Sequence, residues 1–235
     1  MSDPVVELSD VSKDYRGLRP LRIERLSVSA GEAVAIVGLD GVTAEVFVNL
    51  VTGTTLPDRG EVKVFGRSTA TIVDSAEWLA VVDRFGIVSE RAVLLEGLSV
   101  VQNLAMPFTL DIEPPADAVR ARAEGLAREV GLPEASWGAP IAQLDAAGWI
   151  RVRLGRAIAL DPAILLLEHV SASIGRDAAA SLAAAMREVA GRRGSAVVAA
   201  TADEAFARAV AGRVLTLDPA SGRLAERTRG WFGRR

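Results

Sequence analysis

Two stretches of this 235-residue chain carry residue types suited to phosphate chemistry. In AIVGLDGVTAEVFVNLVTG (Ala35 to Gly53), a short apolar run enters the glycines Gly38 and Gly41, and an amphipathic pattern follows. Glycines let backbone N–H groups close around an anion, and a following helix aims its positive end at it. Yet the loop has no lysine, and Glu45 sets a carboxylate beside the place where an anion would seat. In AILLLEHV (Ala163 to Val170), a buried-type run ends in Glu168 and His169, the sole histidine. A carboxylate there suits Mg²⁺, and a neutral imidazole can serve as a base near pH 7. The residues alone leave three options open: a nucleotide site, the remains of one, or an ordinary strand–turn–helix.

The elements that must position these residues follow from apolar periodicity. Residues 5–8 and 21–28 read as half-buried strands, and Gly31 turns the chain into the continuous apolar run Ala33–Val37. A helix is expected from about Ala44 to Val51, with Val46, Phe47, Leu50 and Val51 on one face. Pro57, Asp58 and Gly60 make a turn before an alternating strand through Val62 and Val64, and Gly66 makes another. A helix over 75–83 and a strand over 85–88 follow. Residues 97–145 read as helical, including a helix after Pro114-Pro115 that stops at Gly131. Beyond it come a helix at about 146–160, the strand ending at Glu168, an alanine-rich helix, the strand SAVVAAT, a helix and a last strand, RVLTLD. Alternating strands and helices, with strands apolar on both faces, imply a parallel sheet covered on both sides. Ligands sit at the carboxyl edge of such sheets, here the loops after Val37, Leu167 and Ala200.

Bulk properties narrow the classes. Lys and Arg number 27 against 30 Asp and Glu, a net charge of −3, so no basic field draws nucleic acid. The absence of cysteine excludes disulfides, thiolate metal sites and thiol nucleophiles. The first residues show no basic, apolar leader pattern, and no apolar run reaches the roughly 20 residues a bilayer span needs. A cytoplasmic location is the expectation.

The order and spacing of motifs over about residues 4–225 resemble an ABC-transporter ATP-binding subunit. VSKDY places Tyr15 at the adenine-stacking position; GLDGVTAEV stands at the phosphate loop, with Gly38, Gly41, Thr43, Ala44, Glu45 and Val46. TTLPDRGEVKVFGRS is similar to the β-subdomain, and FGIVSE puts Glu90 at the Q-loop position. Leu144, Asp145, Ala146, Ala147 and Gly148 stand at the signature stretch. Glu168 stands at the Mg²⁺-associated position, His169 at the general-base position, Gly175 at the D-loop aspartate and Ala202 at the switch histidine. The resemblance implies an α/β P-loop NTPase core, mostly parallel, with an antiparallel β-subdomain. It implies a single domain over 1–228: core residues about 1–95 and 160–228, a helical subdomain about 96–159, and a basic-aromatic tail, 229–235. Mg-ATP, a membrane permease, and pairing with a second copy or an intact ATP-binding subunit are the cofactor and partners it implies, at the inner face of the membrane.

The departures from the family pattern fall on the residues that do chemistry. Thr43 resists the positive φ a glycine permits, Ala44 removes a cation, and Glu45 reverses the sign. Glu45, with Asp40, is expected to act as an internal anion that satisfies the helix end. Asp145 would face a phosphate of the opposite subunit with a carboxylate, so the signature contribution suffers too. ATP binding and hydrolysis are therefore expected to be weak or absent. Two alternatives remain: an active ATPase with unusual residues, and a module using a carboxylate-lined cleft for a cationic ligand. Trp149 is expected to be partly buried. The apolar segment Gly97 to Pro107 is expected to face a partner, and Trp231 and Phe232 in the tail suit a lipid or membrane partner.

Overall fold

The computed structural model describes residues 4–72 and 74–226; the tail expected to touch a membrane, with Trp231 and Phe232, lies outside them. Two sheets organise the chain. An antiparallel sheet joins β1 (Pro4–Lys13), β2 (Leu21–Ser29), β4 (Arg59–Val64) and β5 (Arg67–Ser68) in the order β2-β1-β4-β5. The second sheet runs β10-β9-β3-β8-β7-β6, built from β3 (Ala33–Val37), β6 (Phe85–Val88), β7 (Ile164–Glu168), β8 (Ala196–Thr201), β9 (Arg213–Leu217) and β10 (Leu224–Glu226). Every pairing in it is parallel except β10 on β9.

The central strands are apolar throughout because both faces are covered. In β3, Val34 and Ile36 join the core shared with the antiparallel sheet, while Ala35 and Val37 join the core of the opposite face. In β7, Ile164 and Leu166 take the first side, Leu165 and Leu167 the second. This period of two feeds both cores, and the parallel pairing of β6, β7, β8, β3 and β9 brings their carboxyl ends to one edge of the sheet.

Helix α1 (Gly41–Val51) packs Ala44, Phe47, Val48, Leu50 and Val51 under the first core. Its start lies three residues ahead of the expected Ala44, because the Asp40 side chain caps it by accepting from the Thr43 amide. The stretch expected to be broadly helical resolves into α3 (Val100–Ala105) and α4 (Asp117–Glu129), with short 3₁₀ turns at Glu134–Ser136 and Ile141–Gln143. The apolar residues expected to face a partner there point inward: Val100, Val101, Leu104 and Ala105 are buried. Helix α2 (Ser75–Val82) precedes β6, α5 (Ala146–Ile158) precedes β7, and α6 (Arg176–Arg193) and α7 (Glu204–Val210) flank β8. Arg193 ties α6 to α4 through two hydrogen bonds to Glu129, at 2.8 and 2.6 Å. None of the described helices is long and apolar enough to cross a membrane.

Candidate functional site

The carboxyl edge of the parallel sheet brings together the loop after β3, the end of β7 and the loop after β6. Gly38 opens the first loop at φ +104°, where a Cβ would stand 3.1 Å from the Leu217 carbonyl oxygen. That conformation and that gap require glycine. The chain then enters α1 at once. Asp40 accepts from the Thr43 amide at 2.8 Å and from the Thr43 hydroxyl at 2.7 Å, and its carbonyl accepts from the Ala44 amide at 2.8 Å. These bonds to Thr43 hold the Asp40 carboxyl below its ordinary range. A helix N-terminus is an anion site by virtue of free N–H groups and its dipole. Here the chain's own carboxylate occupies it.

The expectation that Glu45 shares this task is overturned. It lies one turn into α1, and its carboxylate accepts instead from Arg91 Nη1 at 3.0 Å. Arg91 follows Glu90 in the loop after β6, and its other edge forks onto Glu168: Nε to Oε1 at 3.1 Å and Nη2 to Oε2 at 2.6 Å. The Glu168 side chain is only 8 % exposed. Pairing with Glu168, foremost, raises the Arg91 pKa. A buried carboxylate needs such a partner, and the planar guanidinium supplies two parallel donors. The structure thus places a cation between the two glutamates, contributed by a residue that the sequence reading passed over. Its signal was present: an arginine beside Glu90, in a loop bound for the same sheet edge as two acidic strand and helix ends.

Ala44 is fully buried in the core beneath α1, and Val46 is half-buried. Gly41 stands exposed at the first helical position. His169 adopts a left-handed backbone, φ +46°, at the end of β7, where histidine is tolerated better than most residues. Its amide donates to the Ala200 carbonyl at 2.9 Å, and its buried Nε2 has no hydrogen-bond partner among the described residues. The imidazole lies near enough to Asp40 to contribute to that carboxyl's low pKa. Ala202 is exposed after β8, and Gly175 caps α6 with its backbone alone. Tyr15 packs its ring over Gly17, where a Cβ would meet the ring at 2.4 Å, and leans on the first core.

Glu90 is exposed, and its carbonyl accepts from Arg153 at 3.3 Å. The signature stretch lies at the head of α5. Asp145 caps that helix, accepting from the Gly148 amide at 2.7 Å, while Leu144 and Ala147 are half-buried and Ala146 is exposed. Trp149 is partly buried against the second core, as expected. Both helix starts that the resemblance points at a phosphate therefore carry an aspartate cap of their own. A cleft of about 660 Å³ lies elsewhere, lined by Asp10, Asp14, Arg22, Asp58 and Ser221 among others, with no residue of the phosphate-loop region.

Comparison with known proteins places this geometry. A sequence profile described as ABC transporter matches residues 21–170. The methionine import ATP-binding protein MetN of Brucella abortus (strain 2308) is 30% identical over 217 residues, covering 92% of this chain and 58% of that protein. MetN of Caulobacter vibrioides is 32% identical over 224 residues, covering 94% of this chain and 66% of its own length. The chain thus spans less than two thirds of these relatives. Among solved structures, CbiO1 of Clostridium perfringens, part of the ABC transporter complex CbiONQ, superposes with TM-score 0.80 at 19% identity, covering 95% of this chain and 88% of that one. The dimeric ATP-binding cassette MJ0796 bound to ADP and Pi gives TM-score 0.76 at 23% identity, covering 97% and 100%. The fold is the P-loop fold of ABC ATPases.

Proposed function

The chain belongs to the ABC transporter ATP-binding family, and from that premise we propose that it is the ATP-binding-type subunit of an import complex whose nucleotide site binds Mg-ATP weakly or not at all. It keeps the family's architecture and acts in the complex as a structural or regulatory partner at the inner face of the membrane, bound to a permease and pairing with a second ATP-binding subunit. The observation that carries this reading is the Asp40 cap: the Thr43 amide at the helix start, which a triphosphate would use, already donates to the Asp40 carboxylate at 2.8 Å.

The groups around it fit Mg-triphosphate poorly. Asp40, Glu45 and Glu168 bring three negative charges and Arg91 one positive, so the group sums to −2 where a polyanion would enter. A buried methyl, Ala44, stands where the family's lysine would reach the phosphates. Each missing hydrogen bond to a charged group is worth ~1.5–3 kcal/mol. Two of them, the lysine and the metal-binding hydroxyl, weaken binding by roughly 10²–10⁴-fold. The carboxylates do not invite an outside cation either, since Arg91 already fills the space between two of them.

The test is phosphate release by the purified full chain with millimolar-range Mg-ATP, alone and with its permease. Turnover at background supports the proposal. Turnover approaching the ~1–10³ s⁻¹ of ordinary enzymes would overturn it.

A further inference from the structure

The loop after β6 is gripped from two sides. On one side, α5 supplies Arg153 to the carbonyls of Glu90 (3.3 Å) and Ala92 (3.4 Å), and Arg156 to the carbonyl of Val93 (2.7 Å). Burial pushes the pKa of both arginines down, and at Arg153 the nearby Glu90 carboxylate partly offsets it. On the other side, Arg91 reaches across to Glu45 on α1 and Glu168 at the end of β7. Within the loop, the Arg91 amide donates to Ser89 Oγ and the Ala92 amide to the Ser89 carbonyl, both at 3.1 Å. Residues 89–93 thereby bridge α5, α1 and β7.

We propose that Arg91 is a built-in latch: its guanidinium takes the place between Glu45 and Glu168, and so fixes the loop 89–93 against the phosphate-loop helix with no ligand bound. The inference deepens the reading of a silent nucleotide site and rests on it. The physical reason is the buried carboxylate of Glu168. Withdrawing Arg91 leaves that charge without a partner in a low-dielectric place, so the closed arrangement is the one favoured. A planar fork matches the carboxylate edge, which a lysine ammonium cannot reproduce while also reaching Glu45. An incoming polyanion that sought Arg91 would have to draw it from two carboxylates at once. The loop, and the α5 surface attached to it, therefore hold one arrangement whatever the nucleotide concentration.

Hydrogen exchange of the full chain, read by mass spectrometry without nucleotide, tests this directly. Arg91→Gln is expected to speed exchange across residues 89–95 by about tenfold, with β2 unchanged, because local opening of the loop becomes easier. Arg91→Lys should fall between the two. Glu45→Gln, at a half-exposed position, cuts one arm only and should shift the same residues in the same direction, which covers the event that Arg91→Gln misfolds. Exchange in 89–95 that stays within about twofold of the parent in both Arg91→Gln and Glu45→Gln would overturn the latch. So would a parent whose 89–95 protection changes about tenfold on adding Mg-ATP. Nucleotide binding that leaves this loop unmoved would sink the silent-site reading and spare the latch.

Discussion

Arg193→Met should be the clearest stability probe of how the helical segment is tied to the core. Arg193 closes the last turn of α6 and forks onto Glu129 at the end of α4, with bonds of 2.8 and 2.6 Å. It also donates to the Ile158 carbonyl at 2.9 Å and reaches Asp161. The Arg193 and Glu129 side chains are 19% and 22% exposed, between a surface pair and a buried one. Surface pairs are worth ~0–1 kcal/mol, and breaking a buried pair costs ~3–5 kcal/mol. The expected loss is therefore about 1.5–3 kcal/mol, or a Tm lower by roughly 3–12 °C for a chain of this length. Methionine keeps most of the apolar stem, so the change reports the charge and its hydrogen bonds.

The same pair fixes the sign of a pH effect. Hydrogen bonding to Arg193, foremost, lowers the Glu129 pKa in the folded chain. A carboxyl whose folded value lies below its unfolded one stabilises fully above the unfolded value, about 4.3, and loses that contribution as pH falls through the folded value. The gap between parent and Arg193→Met, from urea unfolding, should thus be widest near neutrality and shrink below about pH 4. A gap under about 0.5 kcal/mol at neutral pH, the range of a neutral surface change, would refute the reasoning. A gap that stays constant on acidification would refute it as well.

Other expected outcomes follow from the same geometry. Asp40→Ala and Asp145→Ala each remove a helix cap, and urea unfolding should show a loss of about 0.5–2 kcal/mol apiece. Gly60→Ala should cost about 1–3 kcal/mol or more by the same assay, since φ is +80° and the new Cβ would lie 2.3 Å from the Asp10 carbonyl oxygen. His169→Glu supplies a carboxylate at the general-base position yet should leave phosphate release at background, because the triphosphate still lacks the family's lysine and must compete with Asp40 for the Thr43 amide. A clear rise in phosphate release would place the defect at that residue instead.

The sheet was legible in the sequence because burial on both faces writes itself as unbroken apolar runs: Ala33–Val37, the run ending at Glu168, and Ala196–Thr201 each form the expected strand. Their lateral order was not, since β3 pairs with β8 and β9 across long separations that no local pattern encodes. The start of α1 lies three residues earlier than expected, since an aspartate three residues before Thr43 is a cap signal in its own right. Arg91 escaped for a different reason. Its partners lie 46 and 77 residues away, so its role exists only once the sheet has gathered the strand ends. The apolar residues near Leu104 misled in the opposite direction, reading as a surface for a partner while feeding the core.

The central claim is that the phosphate-loop helix start is already occupied by the chain's own carboxylate. Calorimetric titration of the full-length parent chain with Mg-ATP tests it most directly. The account predicts no saturable heat, or a Kd no tighter than about 1 mM; a Kd in the micromolar range would contradict it.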